Sequence, residues 1–303
     1  MSKTINANTP RLSRSKNALI AARSLIVPLY LLFCLPNVAA AESIRMIGNS
    51  RDHSLPAVVL RQVAQRLNMD YEHPYEDIER VSSARARSDL SSGDLDVIWD
   101  MSSLDMEQQF DAIHFPLYRG ILGMRLALVR KDRSKIFAGV KNLRDLQQFQ
   151  PGQGRTWADT AILEANGLSV VKTGKYQNLF PMLEGGRFDY FPRGLYEPWN
   201  EIRDHAELEL SVEPNILIRY RAPLYFFVKK GNTRLHTMIL SELEAMLLDG
   251  SYNELFFSDP AVKMGMENAH LRSRTIIDLD NPFLSPKTPL ERKELWFDPL
   301  RDY

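Results

Sequence analysis

Three stretches of this sequence carry side chains able to grip a small charged or polar molecule. The first is GQGRTWADT, residues 152–160. Gly152 and Gly154 permit a tight turn. Thr156, followed three residues later by Asp159, has the form of a capping box with Asp in place of the longer-reaching Glu. A helix starting there offers unpaired N–H groups and the positive end of its dipole, a seat for an anion. Arg155 can add a two-pronged contact to a carboxylate or phosphate. In the competing reading Asp159 takes those donors itself and Arg155 points to water. The second stretch is DYFPRG, residues 189–194, in which Arg193 follows a strand and either reaches a ligand or pairs on the surface with Glu197. The third is IWD, residues 98–100. Trp99 there stacks on a flat ligand or packs in the core, and Asp100 at the strand tip suits a polar contact. Phe115, Tyr118 and Arg119 precede a long extended run, as an aromatic wall or as hinge packing. Asn49, Ser50 and Arg51, after the first strand, are weaker candidates.

Other chemistries find no support. A dinucleotide fingerprint needs a third glycine where Trp157 stands, and the Gly-Lys-Ser/Thr of a phosphate loop is missing. The six histidines, at 53, 73, 114, 205, 236 and 270, show no HExxH spacing and no pair that reads as zinc ligands. There is no G-x-S-x-G elbow, and DLDNP near residue 278 lacks the glycine and terminal glutamate of a calcium loop. No cofactor or metal is expected. The single cysteine, Cys34, lies in the N-terminal segment, so the rest of the chain has no thiol for a disulfide, a metal or a nucleophile.

The elements that must position these residues alternate. SIRMIG (43–48) reads as a strand, SLPAVVLRQVAQRLN (54–68) as a helix capped by Ser54 with Pro56 in its first turn, and MDYEHPY as a second strand. ARARSDLSSG reads as a short helix and DLDVIWD (94–100) as a third strand. Further on, strands are expected at LSVVKTG and RFDYFPRG, helices at NLRDLQQF, around YQNLFPMLEGG and at EPWNEIRDHA. Two longer extended runs, 120–132 and 215–232, bracket this middle section. Residues 233–257 form the strongest amphipathic helix, its main body ending at Gly250. Residues 265–303, with four prolines, predict a polar tail of little regular structure. Such alternation points to βαβ units. A chain that leaves one lobe, builds a second and returns needs two crossing strands.

Composition bounds the rest. With 303 residues, 44% hydrophobic and 25% charged, the chain can build one large domain or two lobes. Its 38 basic and 38 acidic groups cancel, but residues 1–41 hold Lys3, Arg11, Arg14, Lys16 and Arg23 and no acid. The remainder carries 33 of the basic groups against all 38 acidic ones, which argues against a nucleic-acid partner. The basic start, the apolar run SLIVPLYLLFCL and the small residues Ala39 and Ala41 predict an export signal, residues 1–41, cut after Ala41. The apolar run is shorter than the roughly 20 residues of a membrane span.

The stretches SGDLDVIWD leading to DAIHFPLYRG, VKNLRDLQQFQPGQGRTWADT, MLEGGRFDYFPRG, YRAPLYFFVKKGN and LEAMLLDGSYNELF, in that order, resemble the periplasmic solute-binding proteins of family 3, over roughly residues 44–258. The resemblance implies an α/β, two-lobed type II periplasmic-binding-protein fold with two crossing strands as its hinge. Lobe 1 is expected from 42–125 and a return at 221–262, lobe 2 from 126–220, and a tail, 263–303, packed on lobe 1. It also implies an exported, monomeric receptor, not an enzyme, that closes on a small molecule and often hands it to an inner-membrane ABC permease, or reports to a membrane sensor. The anchors of amino-acid receptors in this family are altered. Met106, with Glu107 beside it, stands where an arginine grips the ligand carboxylate, and Pro192, Arg193 and Gly194 where an aspartate holds the ammonium. The expected ligand is therefore a small polar or anionic metabolite, contacted by Arg155, Thr156, Arg193, Trp99, Asp100, Tyr118 and Arg119. Two alternatives stay open. One is a lyase or dehydratase using Asp100 or Glu107. The other is an interaction protein whose tail, with Trp296 and Phe297, meets a partner.

Overall fold

The computed structural model describes residues 43–78 and 81–300. The export-signal reading falls outside the described residues. Residues Ala41–Tyr303 form one compact unit, and it contains two sheet systems.

The first system opens with β1 (Ser43–Arg45), then helix α1 (Leu55–Arg66) and β2 (Asp70–Glu72), which lies parallel to β1. Ser54 holds the N-cap position of α1, but its hydroxyl makes no capping bond. The preorganised Pro56 in the first turn and the apolar face of Val59, Leu60 and Val63 hold that helix instead. Helix α2 (Ser83–Ser92) has both ends marked in the sequence: the Ser82 hydroxyl accepts from the Arg85 N–H, and Gly93 stops it at φ 91°. Next come β3 (Val97–Met101), α3 (Leu104–Gln109) and β4 (Phe110–Ile113).

Residues 114–123 carry the chain to the second system, which begins with β5 (Met124–Arg130). There follow α4 (Leu143–Leu146), β6 (Gly152–Gly154), α5 (Ala158–Ala165), β7 (Val171–Thr173), α6 (Leu179–Glu184) and β8 (Phe191–Gly194). The system continues with α7 (Pro198–Asp204), β9 (Leu210–Val212) and β10 (Ile216–Arg219). β5 is its central strand, antiparallel to β8, β9 and β10. β6 and β7 pair in parallel and reach β8 through the bridge between Pro151 and Tyr190. Period-two alternation fixes what β5 buries: Ala127 and Val129 join Phe137, Ile162 and Tyr190 on one face, and Leu128 joins Phe180, Leu183 and Phe191 on the other.

The run 215–232 is not one strand. It breaks at Tyr220–Pro223, so that β10 stays in the second system while β11 (Leu224–Lys229) returns to the middle of the first, between β3 and β4. Pro223 cannot donate to a ladder, which suits it to the break. The two crossings touch. Tyr220 N–H donates to the Gly123 carbonyl at 3.0 Å, and a Cβ on Gly123 would lie 1.9 Å from the Tyr220 carbonyl oxygen. Only glycine admits that approach.

Helices α8 (Thr233–Asp249) and α9 (Ser251–Ser258) divide at Gly250, in the left-handed region at φ 86°. Beyond them the tail departs from the expectation of little structure. Helix α10 (Pro260–Asn268) is capped by Asp259, and β12 (Thr275–Asp278) adds a parallel edge strand to β10. The chain then comes back to the first system: Ser285 donates to Glu107, Arg292 pairs with Glu244, and Trp296 and Phe297 bury in the core around α1, α8 and α9. Prolines in this segment mark the joints between short anchored pieces. No helix among the described residues is long and apolar enough to cross a membrane.

Candidate functional site

A cleft of about 940 Å³ opens between the two systems. Its second-system wall is a buried ionic lattice. Arg125, the second residue of the apolar strand β5, donates through Nη2 to Asp159 at 2.9 Å and through Nε to the Tyr220 hydroxyl at 2.9 Å. Its Nη1 stands 3.6 Å from Glu197. Both side chains of the Arg125–Asp159 pair are only 3% exposed. Asp159 also accepts from Tyr220 Oη and, at 2.7 Å, from Gln153 Nε2. Arg193, opposite Leu126 on β8, meets the same Glu197. It donates to both oxygens of Glu201 at 2.8 Å and to Glu197 at 2.6 Å, and its guanidinium lies 4.6 Å from the Phe191 ring centre and 5.5 Å from that of Trp157. Burial works against the charge on Arg193, but Glu197 and Glu201 outweigh it and hold the group's pKa well above the usual value. The same balance, with Asp159 as main partner, raises that of Arg125.

The opposite wall is more open. It consists of the loop after β1, including Asn49, Arg51, Asp52 and His53, and the tip of β3. Trp99 lines the cleft half-buried, with its edge toward Phe226 at 6.2 Å between centroids. Asp100 accepts from Arg87 at 2.9 Å and from its neighbour's N–H, Met101, at 2.8 Å.

The candidates named from sequence separate. Trp99, Asp100 and Arg193 line the cleft, as do Asn49 and Arg51. Arg155 and Thr156 do not: both are exposed in the turn before α5, and the Arg155 N–H is spent on the Thr173 carbonyl. The capping box does not form, because the helix starts one residue later, with Trp157 at its N-cap, and Asp159 faces inward. A charge-assisted bond to a buried guanidinium outcompetes an exposed cap. Tyr118 is buried and stacks on Tyr196 at 3.8 Å. Arg119 binds Asn253 and the Glu294 carbonyl away from the cleft lining. Phe115 packs edge-on against Tyr252 in the core, and Ser50 donates to Glu76.

The two carboxylates of the lyase reading are apart. Asp100 lines the cleft; Glu107 lines a different hollow with His114 and Lys230. Burial pushes the Glu107 carboxyl up, but bonds from His114, Ser102 and Ser285 prevail and bring it down to about 2. Among the described residues no group of three or more His, Cys, Asp or Glu could hold a metal ion. Sequence reasoning missed Arg125, Asp159 in its actual role, Trp157 and Tyr196; it did name Glu197 as a partner of Arg193, and the pair forms, buried rather than on the surface. The one available signal was a lone arginine inside GILGMRLALV, since a charge is not placed in a buried strand without a partner.

No protein-family model matches the chain, and no curated protein matches it. Solved structures do. A histidine kinase sensor domain with similarity to periplasmic binding proteins superposes with a TM-score of 0.56 at 18% identity, over 73% of this chain and 96% of that one. The GluR0 ligand-binding core in complex with L-glutamate gives 0.56 at 15%, over 73% and 99%. AbpA, an amino-acid ABC transporter substrate-binding protein from Streptococcus pneumoniae bound to L-arginine, gives 0.55 at 13%, over 74% and 96%. The fold is therefore the two-lobed α/β fold of periplasmic binding proteins, with the cleft between its lobes.

Proposed function

We propose that this protein is an exported solute-binding protein of the family-3 kind, working in the periplasm as a monomer after removal of residues 1–41. Lobe 1 is the first sheet system and lobe 2 the second, which begins at β5, and their closure captures a small polar metabolite for an ABC-type permease. One observation carries the reading: a cleft of about 940 Å³ lined from both sheet systems, whose walls present aromatic faces and fixed polar groups. A ligand touching both walls binds the shut form better than the open one and shifts the population toward it. Preorganisation supports this, since Arg125, Asp159 and Tyr220 fix one another through buried hydrogen bonds. The ligand contacts of this reading are Trp99, Asp100 and Arg193, joined by Trp157 and Tyr196.

A sensory role, reporting occupancy to a membrane protein without transport, is the second reading. It draws on the likeness to a histidine kinase sensor domain and on a tail that ties both lobes.

A thermal-shift screen of amines, amino acids and organic acids, followed by small-angle scattering, tests capture. A ligand at about 100 times its Kd adds about 2.7 kcal/mol to stability and shrinks the radius of gyration as the lobes shut. Failure of every compound to raise the melting temperature, with unchanged scattering, overturns the reading.

A further inference from the structure

The charges on the cleft do not cancel. Five carboxylates line it, those of Asp52, Asp77, Asp100, Asp159 and Glu197. Three guanidiniums do, those of Arg51, Arg125 and Arg193. Immediately behind them Glu201 adds a carboxylate on Arg193, and Arg87 a guanidinium on Asp100, so the excess of two negative charges persists.

The distribution sharpens the sign. Both arginines inside the cleft commit Nε and Nη2 to carboxylates or Tyr220, and a guanidinium already facing two acids offers an anion little. Arg51 stands exposed at the rim, where water screens it. Trp99, Trp157 and Tyr196 contribute half-buried aromatic surface to the lining. Aromatic faces attract cations, and this wall already holds one, since Arg193 sits 5.5 Å from the Trp157 ring centre.

We infer that the cleft selects a cation, a small molecule carrying an ammonium or guanidinium group, and rejects anions. This inference rests on the binding-protein reading and reverses the anionic preference expected from Arg155 and Arg193 in the sequence. Arg193 does not repel an ammonium group, because Glu197 and Glu201 have neutralised it.

Charged quenchers of tryptophan fluorescence test the sign without knowledge of the ligand. In a variant keeping only Trp99 (W157F, W199F, W296F), caesium, iodide and neutral acrylamide are compared, each normalised to a free tryptophan analogue. The normalised caesium constant is expected to exceed that of iodide by about threefold at low salt, as a surface potential of kT order dictates, and Asp100→Asn narrows the ratio. Equal or stronger quenching by iodide overturns the inference. If the triple substitution impairs folding, the W199F, W296F double variant gives the same sign through Trp99 and Trp157, which both line the cleft. Calorimetry with agmatine and with glutarate forms the second arm. Binding of agmatine but not glutarate supports the inference. Glutarate bound with lobe closure overturns it and leaves the binding-protein reading standing. If no compound of either charge binds, the binding-protein reading fails while the quenching ratio still decides the sign of the cleft.

Discussion

Arg155 and Arg193 look alike in the sequence, each after a strand and next to a turn, each a candidate to hold a ligand. In the fold they are opposites. Arg155 projects into water from the turn before α5. Arg193 is 5% exposed and welded to two glutamates. The difference comes from what lies beneath. β8 lies directly against the central strand β5, so a side chain pointing off its tip lands over Glu197 and Glu201, delivered by the first residues of α7 and the turn before it. β6 ends over Trp157, which fills the space an inward arginine would need; a Cβ on Gly154 would already lie 2.4 Å from that ring.

The contrast can be broken at its strong end first. Arg193→Ala leaves the buried Glu201 without its counter-charge and should cost about 3–5 kcal/mol, read as a drop of several degrees or more in melting temperature. Adding Glu201→Gln to an Arg193→Met variant, with Glu197 kept for Arg125, should recover at least half of that loss, because a pair removed whole leaves no orphan charge. Failure of recovery would show that Arg193 acts through packing on Phe191 and Trp157 instead.

Glu107 gives an intermediate effect. Its folded pKa of about 2 lies below the ordinary 4.5, so its stabilisation is complete above pH 4.5 and drains away as pH falls toward 2. Acid denaturation of Glu107→Gln should be flatter across that window, by on the order of 1–3 kcal/mol. An unchanged acid limb would mean that its three hydrogen bonds are not kept in solution. The smallest effect belongs to Arg155→Ala, expected within about 0.5 kcal/mol of the native protein and without influence on any cleft ligand. A lost ligand shift in that variant would put the turn back into the site.

The fold was legible because its signals are local and repeated: alternating apolar strands, Gly93 and Gly250 closing helices, and a chain order that leaves one sheet and returns. The split of 215–232 was not, since a proline inside an apolar run only hints at a break and cannot say that its halves join different sheets. Of the cleft, Trp99, Asp100 and Arg193 could be found because strand tips face clefts in α/β folds. Arg125 could not, nor could the approach of Glu197 to it. Their role exists only where β5, α5 and the turn after β8 converge, and no spacing along the chain encodes that meeting. Asp159 shows the same limit in reverse, for its sequence neighbours predicted a cap and its spatial neighbours recruited it as a counter-ion.

The tail runs from β12, held to lobe 2 by β10 and by the Asn166 contacts of Asp280, to Arg292 on Glu244 and the Phe297 N–H on the Arg119 carbonyl. It is a tether none of whose residues lines the cleft. Swinging the halves apart must take up its slack or detach one of its moorings. The balance between open and shut forms is thus set partly outside the cleft, and affinity can be tuned by residues that never meet the ligand.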